Sequence, residues 1–220
     1  MKHNGIGDAP IHIACKHSRL DILKQLLNSC NPNQQSMHED TALHILSRIG
    51  GNNEQMKKNS KMVKLLLENG ADALKLDRRG DAPIHIACKH SRLYTLRELV
   101  ALGSCSLNQQ NAEGNTALHI VCRMRIRSTL QFLEVLTSTP GINLTLVNHE
   151  GIAPFEVIDS DGSTLLHNAC AEGNSTLVEY LVRNGADVLK PNSCGDAPIH
   201  IACKHSRLGY FKSSFRLQTL

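Results

Sequence analysis

Gly80-Asp-Ala-Pro-Ile-His-Ile-Ala-Cys-Lys-His-Ser-Arg-Leu93 is written three times in this chain, here, from Gly7 to Leu20 and from Gly195 to Leu208. A looser set fills the gaps: Thr41-Ala-Leu-His44, Thr116-Ala-Leu-His119 and Thr164-Leu-Leu-His167. The histidines mark the interval, which is 32 residues from His12 to His44, 34 from His85 to His119 and 33 from His167 to His200. Self-similarity at such a period is the mark of an array in which each unit buries its apolar face on its neighbours. Within a unit the pattern reads as turn, helix, short loop, helix, turn. Pro10 stands where proline is tolerated, in the opening turn of a helix. Ile11, Ala14 and Cys15 follow at i, i+3 and i+4 and define one apolar face. Leu23, Leu26 and Leu27 supply the second helix with its inward side, and Asn31-Pro-Asn33 closes the layer with a turn.

Motif, period and the residues after each motif together resemble the ankyrin-repeat family over nearly the whole chain. The resemblance implies an all-α solenoid of helix-turn-helix units joined by β-hairpin-like turns. It implies about six repeats with one degenerate unit, in a single domain spanning 1–220. The repeats are expected at about 7–38, 39–79, 80–113 and 114–150, a degenerate unit at 151–161, then 162–194 and 195–220. In this family the motif histidine ties neighbouring turns together, so six of the twelve histidines are expected to be structural. Ser18-Arg19 stands where the family usually has Gly-His. Ala9, Ala82 and Ala197 stand where it usually has the threonine that caps the first helix. Asn33 and Asn108 match the hairpin asparagine that asparaginyl hydroxylases can modify.

Two irregularities interrupt the array. His44 to His85 is 41 residues, about eight longer than the other intervals, and the excess is the polar Gly50-Gly-Asn-Asn-Glu-Gln-Met-Lys-Lys58. That stretch is expected to be a loop or an extension of the flanking helices. At Gly151-Ile-Ala-Pro-Phe-Glu-Val-Ile158 a unit opens with Ala153-Pro-Phe-Glu156, but only Asp159-Ser-Asp161 separates it from the next. After Leu208 the last repeat diverges, with Leu208, Phe211 and Phe215 spaced for a terminal helix. A repeat that opens this close to Met1, with no capping unit ahead of it, is what a fragment of a longer protein would show.

Composition narrows the class. Aromatic residues are 3% of the chain and Trp is absent, so the core must be built from aliphatics and cysteine. That argues against an aromatic platform for bases. A net charge of +4 is too small to announce nucleic acid by itself. Cys15, Cys88, Cys122, Cys170 and Cys203 each follow a motif histidine by three residues, on the expected buried side of the first helix. There they act as small hydrophobes. No CxxC pair, no N-terminal apolar targeting segment and no membrane-length apolar run are present. A reducing location, the cytoplasm with the nucleus as alternative, follows from that cysteine usage.

Nothing in the sequence has the form of a catalytic centre. His and Cys recur with identical spacing, whereas catalysis needs one assembled constellation rather than a ladder. No phosphate-binding Gly loop is present, and no cofactor or metal is expected. The surface feature above background is basic: Lys16, His17 and Arg19 recur as Lys89, His90 and Arg92 and as Lys204, His205 and Arg207, with Arg123, Arg125 and Arg127 between. In the family these positions lie toward the concave side. Either a duplication copied them passively onto a solvated face, or they form a groove for an acidic protein partner. Lipid headgroups and nucleic acid are the competing anionic partners. Lys89 and Arg92 are expected to be solvated and replaceable without loss of stability. The hairpin tips around His38-Glu-Asp40, Arg78-Arg79 and Ala112-Glu113 are the alternative recognition surface. The implied function is a non-enzymatic interaction module or adaptor, or the scaffold part of a larger enzyme, channel or receptor.

Overall fold

The structure is a computed structural model that describes residues 7–124 and 128–205. Arg125, Arg127, Arg207 and the expected terminal helix after Leu208 lie outside the described residues. Among the described residues eleven α-helices occur in chain order: α1 (Pro10–Lys16), α2 (Leu20–Leu26), α3 (Ala42–Arg48), α4 (Asn53–Glu68), α5 (Pro83–Lys89), α6 (Leu93–Ala101), α7 (Ala117–Arg123), α8 (Thr129–Thr137), α9 (Leu165–Glu172), α10 (Ser175–Arg183) and α11 (Pro198–Lys204). Paired short helices at this spacing are the all-α repeat architecture that the motif implies. The chain divides into two compact units, Met1–Ala117 with Gln131–Ile142, and Leu118–Leu130 with Asn143–Leu220.

In the first unit α1 packs on α2 and α3, α3 on α4 and α5, and α4 on α6. Ile11, Leu23, Leu43, Leu46, Met62, Leu66, Ile84, Leu96 and Leu99 are fully buried there. Burying each such side chain contributes about 1.5–3 kcal/mol. The polar insertion is helical, since Asn53 to Lys58 form the first turns of the 16-residue α4. Asn52 starts it as an N-cap, its side-chain oxygen accepting the Gln55 N–H at 2.8 Å. In the second unit α9 packs on α10 and α11 around Leu165, Leu166, Leu177 and Leu181. The shortened unit keeps its turn and a 3-10 turn at Pro154–Glu156, with Phe155 and Val157 buried. An isolated antiparallel bridge, Ile158 to Thr164, then leads directly into the next repeat.

Five loops, ahead of α5, α7, the 3-10 turn, α9 and α11, are tied turns. The Oδ1 atoms of Asp77, Asn111, Asn148, Asp159 and Asn192 each accept two backbone N–H groups, two and four residues further on. A glycine follows three residues after each, in the left-handed region, as Gly80 does at φ 73°. A Cβ on Gly80 would also stand 2.9 Å from the Ala112 backbone nitrogen, so only glycine fits.

The motif histidines join these turns to the helices. The backbone N–H of Ala82 donates to His85 Nδ1 at 3.0 Å, as do those of Ala9 to His12, Thr41 to His44 and Thr164 to His167. An amide can only donate, so Nδ1 is the acceptor and Nε2 carries the proton. Nε2–H then donates to a carbonyl of the following turn: Gln34 for His12, Asp81 for His44, Gln109 for His85, Ile152 for His119 and Asp196 for His167, at 2.8–3.2 Å. In the threonine repeats Oγ1 of Thr41 and Thr164 also lies 2.8 Å from Nδ1. The alanine copies lack that contact and any side-chain cap. Asp81 does not replace it, because its carboxylate is engaged by Lys89 and Asn111.

Between the first and second helices of three repeats the chain turns through a left-handed residue. It is Gly173 before α10, but Ser18 and Ser91, at φ 50° and 58°, in the duplicated copies. Serine is strained there by about 1–2 kcal/mol. Ser18 recovers part of this by donating to the buried Asn59 Oδ1 at 2.7 Å. Ser91→Gly is therefore expected to stabilise by about 1 kcal/mol in urea unfolding, and Ser18→Gly to gain less or to lose stability. Equal gains would show that the Asn59 bond contributes nothing.

The same histidines make folding pH-dependent. Burial is the largest influence on His12, His44, His85, His119 and His167, and holds each below the ordinary 6.5. The unfolded chain thus binds protons near 6.5 that the folded chain refuses. Stability is complete above 6.5 and falls as pH drops from there through the folded values. Unfolding free energy measured between about pH 7 and pH 5 should decline with a slope of more than one proton, and His44→Gln should lower that slope. A flat profile across this window would contradict the arrangement.

Candidate functional site

The duplicated cations are placed by the aspartate eight residues before each lysine. Lys16 Nζ lies 2.5 Å from Asp8, Lys89 2.6 Å from Asp81 and Lys204 2.5 Å from Asp196. In the second repeat Arg48 takes the same place, binding Asp40 with both nitrogens at 2.8 and 2.9 Å. The carboxylates of Asp8 and Asp81 are almost wholly buried. Removing Lys89 would leave the Asp81 carboxylate buried without its counter-charge, which is costly. This corrects the expectation that Lys89 is a free cation replaceable at no cost. Arg92 is likewise committed, because Nε and Nη2 both donate to the Arg48 carbonyl at 3.3 Å.

The remaining predicted residues divide. His17 and Arg19 are exposed at the first repeat and line an apolar cavity of about 490 Å³ with Pro10, Ile13, Ala14, Ile22 and Leu26. Arg123 is exposed at the end of α7, and His205 is exposed after α11. His90 is gathered with three arginines.

That gathering is a cleft of about 520 Å³ in the first unit, lined by His38, Asp40, Arg48, Asp77, Arg78, Arg79 and His90. Two adjacent turns bring it together, since the Arg78 N–H donates to the His38 carbonyl at 3.2 Å. Asp77 fixes the second turn by accepting the N–H groups of Arg79 and Asp81. Arg78 and Arg79 thereby occupy its exposed middle positions. The two aspartates face inward, Asp40 paired with Arg48 and Asp77 3.6 Å from it. Among the described residues, Arg78, Arg79, His38 and His90 have no side-chain partner of their own. His90 is held below 6.5 by burial and then by the fields of Arg92, Arg48 and Lys89. The sequence offered Arg78-Arg79 and His38 only as separate tip residues; their meeting with His90 depends on the stacking of two repeats.

The thiols beside the motif histidines are unsuited to nucleophilic chemistry. Burial pushes Cys15 and Cys170 up to about 12, and Cys88 and Cys122 also upward. All eight cysteines are free, and Cys203 is exposed, against expectation. Its helix α11 packs on α9, and among the described residues no later repeat covers its other face. Among the described residues no group of His, Cys, Asp and Glu could hold a metal ion, and no helix is long and apolar enough to cross a membrane. Asn33 bridges repeats, its Nδ2 donating to the Gly70 carbonyl and its Oδ1 accepting the Asp72 N–H, and Asn108 Nδ2 donates to Gly141.

Comparison with known proteins agrees with this geometry. The family described as "Ankyrin repeats (3 copies)" matches residues 54–148 and 137–213, and "Ankyrin repeat" matches residues 7–37. B-cell lymphoma 3 protein of Homo sapiens is 28% identical over 89% of this chain and 47% of its own length. Rabankyrin-5 of Homo sapiens is 28% identical over 76% of this chain and 15% of its own. The chain thus spans less than half the length of these curated relatives. The solved ankyrin repeat domain of Bcl-3 matches with a TM-score of 0.55 at 24% identity, over 94% of this chain and 99% of that one. The chain belongs to the ankyrin-repeat family.

Proposed function

We propose that this chain is a non-enzymatic protein-recognition module, an adaptor that holds an acidic segment of a partner protein in the cleft of its second and third repeats. The observation that carries this is the gathering of Arg78, Arg79, His38 and His90 in one cavity, whose two carboxylates, Asp40 and Asp77, are engaged by Arg48 and by turn N–H groups. The lysines of the duplicated motif are paired within the fold and Arg92 is bonded to a carbonyl, so the uncommitted positive charge at the cleft is that of the turn carrying Arg78 and Arg79. An acidic segment would be steered there and held by charge-assisted hydrogen bonds. The lining contains no Phe, Tyr, Trp or aliphatic side chain that could enter a bilayer, which favours a protein over a lipid surface. Eight free thiols suit a reducing compartment, cytoplasm or nucleus. The relatives' greater length is compatible with this module serving inside a larger scaffold.

The test is the affinity of a labelled glutamate-rich peptide for the chain and for its Arg78→Ala/Arg79→Ala variant. Both arginines are exposed, so the variant should unfold at the same denaturant concentration as the parent. Its binding should be about tenfold weaker, mainly through slower association, with a flatter salt dependence. Unchanged binding and unchanged salt dependence would move recognition away from this cleft.

A further inference from the structure

Resting on that reading of the cleft as an acidic-segment site, we propose that its preferred occupant is a phosphorylated side chain of a partner protein, with the phosphoryl group held by Arg78 and Arg79. Charge at a point decides the occupant. Arg48, Asp40 and Asp77 form an inward-facing group with one net negative charge, its carboxylates engaged by Arg48 and by turn N–H groups, so it does not itself attract an incoming anion. Two guanidinium groups, Arg78 and Arg79, are left without a partner in the same cavity, beside His38 and His90. A single carboxylate balances one of them. Two carboxylates cannot readily do better, because consecutive side chains of an extended segment leave by opposite faces. Those two residues apart stand about 6.6 Å from each other along the strand. A phosphoryl group places about two negative charges and three acceptor oxygens at one position. Planar guanidinium forks match it with paired, directional hydrogen bonds that an ammonium group cannot make.

The placement of the arginines supports the same occupant. They are successive middle residues of a turn whose backbone is fixed by Asp77 Oδ1 and tied to the preceding turn through the His38 carbonyl. Little backbone freedom is lost when they close on a ligand. Of the acidic residues of the preceding turn, Asp40 lines the cavity but is paired with Arg48.

The experiment uses the full chain and a pair of labelled nonamer peptide libraries, identical except that the fixed central residue is phosphoserine in one and serine in the other. Binding is read by fluorescence anisotropy, with a glutamate-centred library as third probe and inorganic phosphate as competitor. The phosphoserine library should bind about tenfold or more tightly than either of the others. Arg78→Ala and Arg79→Ala should each remove most of that preference, while Arg97→Ala on α6 should not. Equal binding of the phosphoserine and glutamate libraries would overturn this inference and leave the acidic-segment reading standing. Failure of all three to bind would overturn both. Vesicles containing a phosphoinositide that bind through the same arginines more tightly than the phosphoserine library would assign the site to a lipid headgroup and also overturn it. Competition by millimolar phosphate is expected, and its absence despite tight phosphoserine binding would place the phosphoryl group outside the cleft.

Discussion

A neutral imidazole shared between two repeats is the contact on which the rest of this structure depends. Its Nδ1 must accept from the amide that opens its own repeat, and its Nε2–H must reach a carbonyl of the next turn. Histidine alone among the side chains offers an acceptor and a donor on opposite sides of one rigid ring. Burial keeps that ring uncharged, which the geometry requires, since an imidazolium would have two donors and no acceptor. Each such pair of bonds contributes on the order of 1 kcal/mol per bond, but the larger effect is geometric. The ring sets how far each turn sits from the preceding helix, and so where the residues at the turn tips stand relative to one another.

The surface charges follow from that framework. In four repeats the turn ahead of the first helix places an aspartate within reach of the last residue of the helix, and Lys16, Arg48, Lys89 and Lys204 are each held there. What looks from composition like a repeated positive surface includes three internal lysine–aspartate pairs, two of them on buried carboxylates. Positive charge is left over where a turn carries cations in its middle positions, at Arg78 and Arg79. The cleft is thus a by-product of fixed turns and intra-repeat pairing, and its field is local rather than spread along the array.

Much of the fold was legible because the signals are local. Histidines about 33 residues apart, proline at the first helical position and apolar residues at helical spacing all act within one unit, so the helices could be placed without knowing their neighbours. The insertion at Gly50 was ambiguous between loop and helix because its residues are polar; the deciding contact is the Asn52 cap, a single hydrogen bond. Cys203 was misjudged because burial on that face requires a following repeat. Pairing of Lys89 with Asp81 was missed because eight residues is not a helical neighbour spacing. A signal was nevertheless present, since Asp-Lys recurs at that interval in three copies and Asp40-Arg48 repeats it with a different cation. The residues of the cleft were legible separately, His38, Arg78 and Arg79 as tip residues and His90 as a motif cation, but their meeting was not, since it depends on the stacking of two repeats.

The claim beneath all of this is that the motif histidines are neutral, protonated on Nε2 and bonded on both sides. Nitrogen-15 NMR of the imidazole rings at neutral pH tests it most directly, since the two ring nitrogens differ widely in shift when one is protonated and the other is not. For His44, His85 and His167 the account predicts an unprotonated Nδ1, a protonated Nε2 and an Nε2 proton that exchanges slowly enough with water to be observed. Rings that are doubly protonated at pH 7, or that carry the proton on Nδ1, would contradict it.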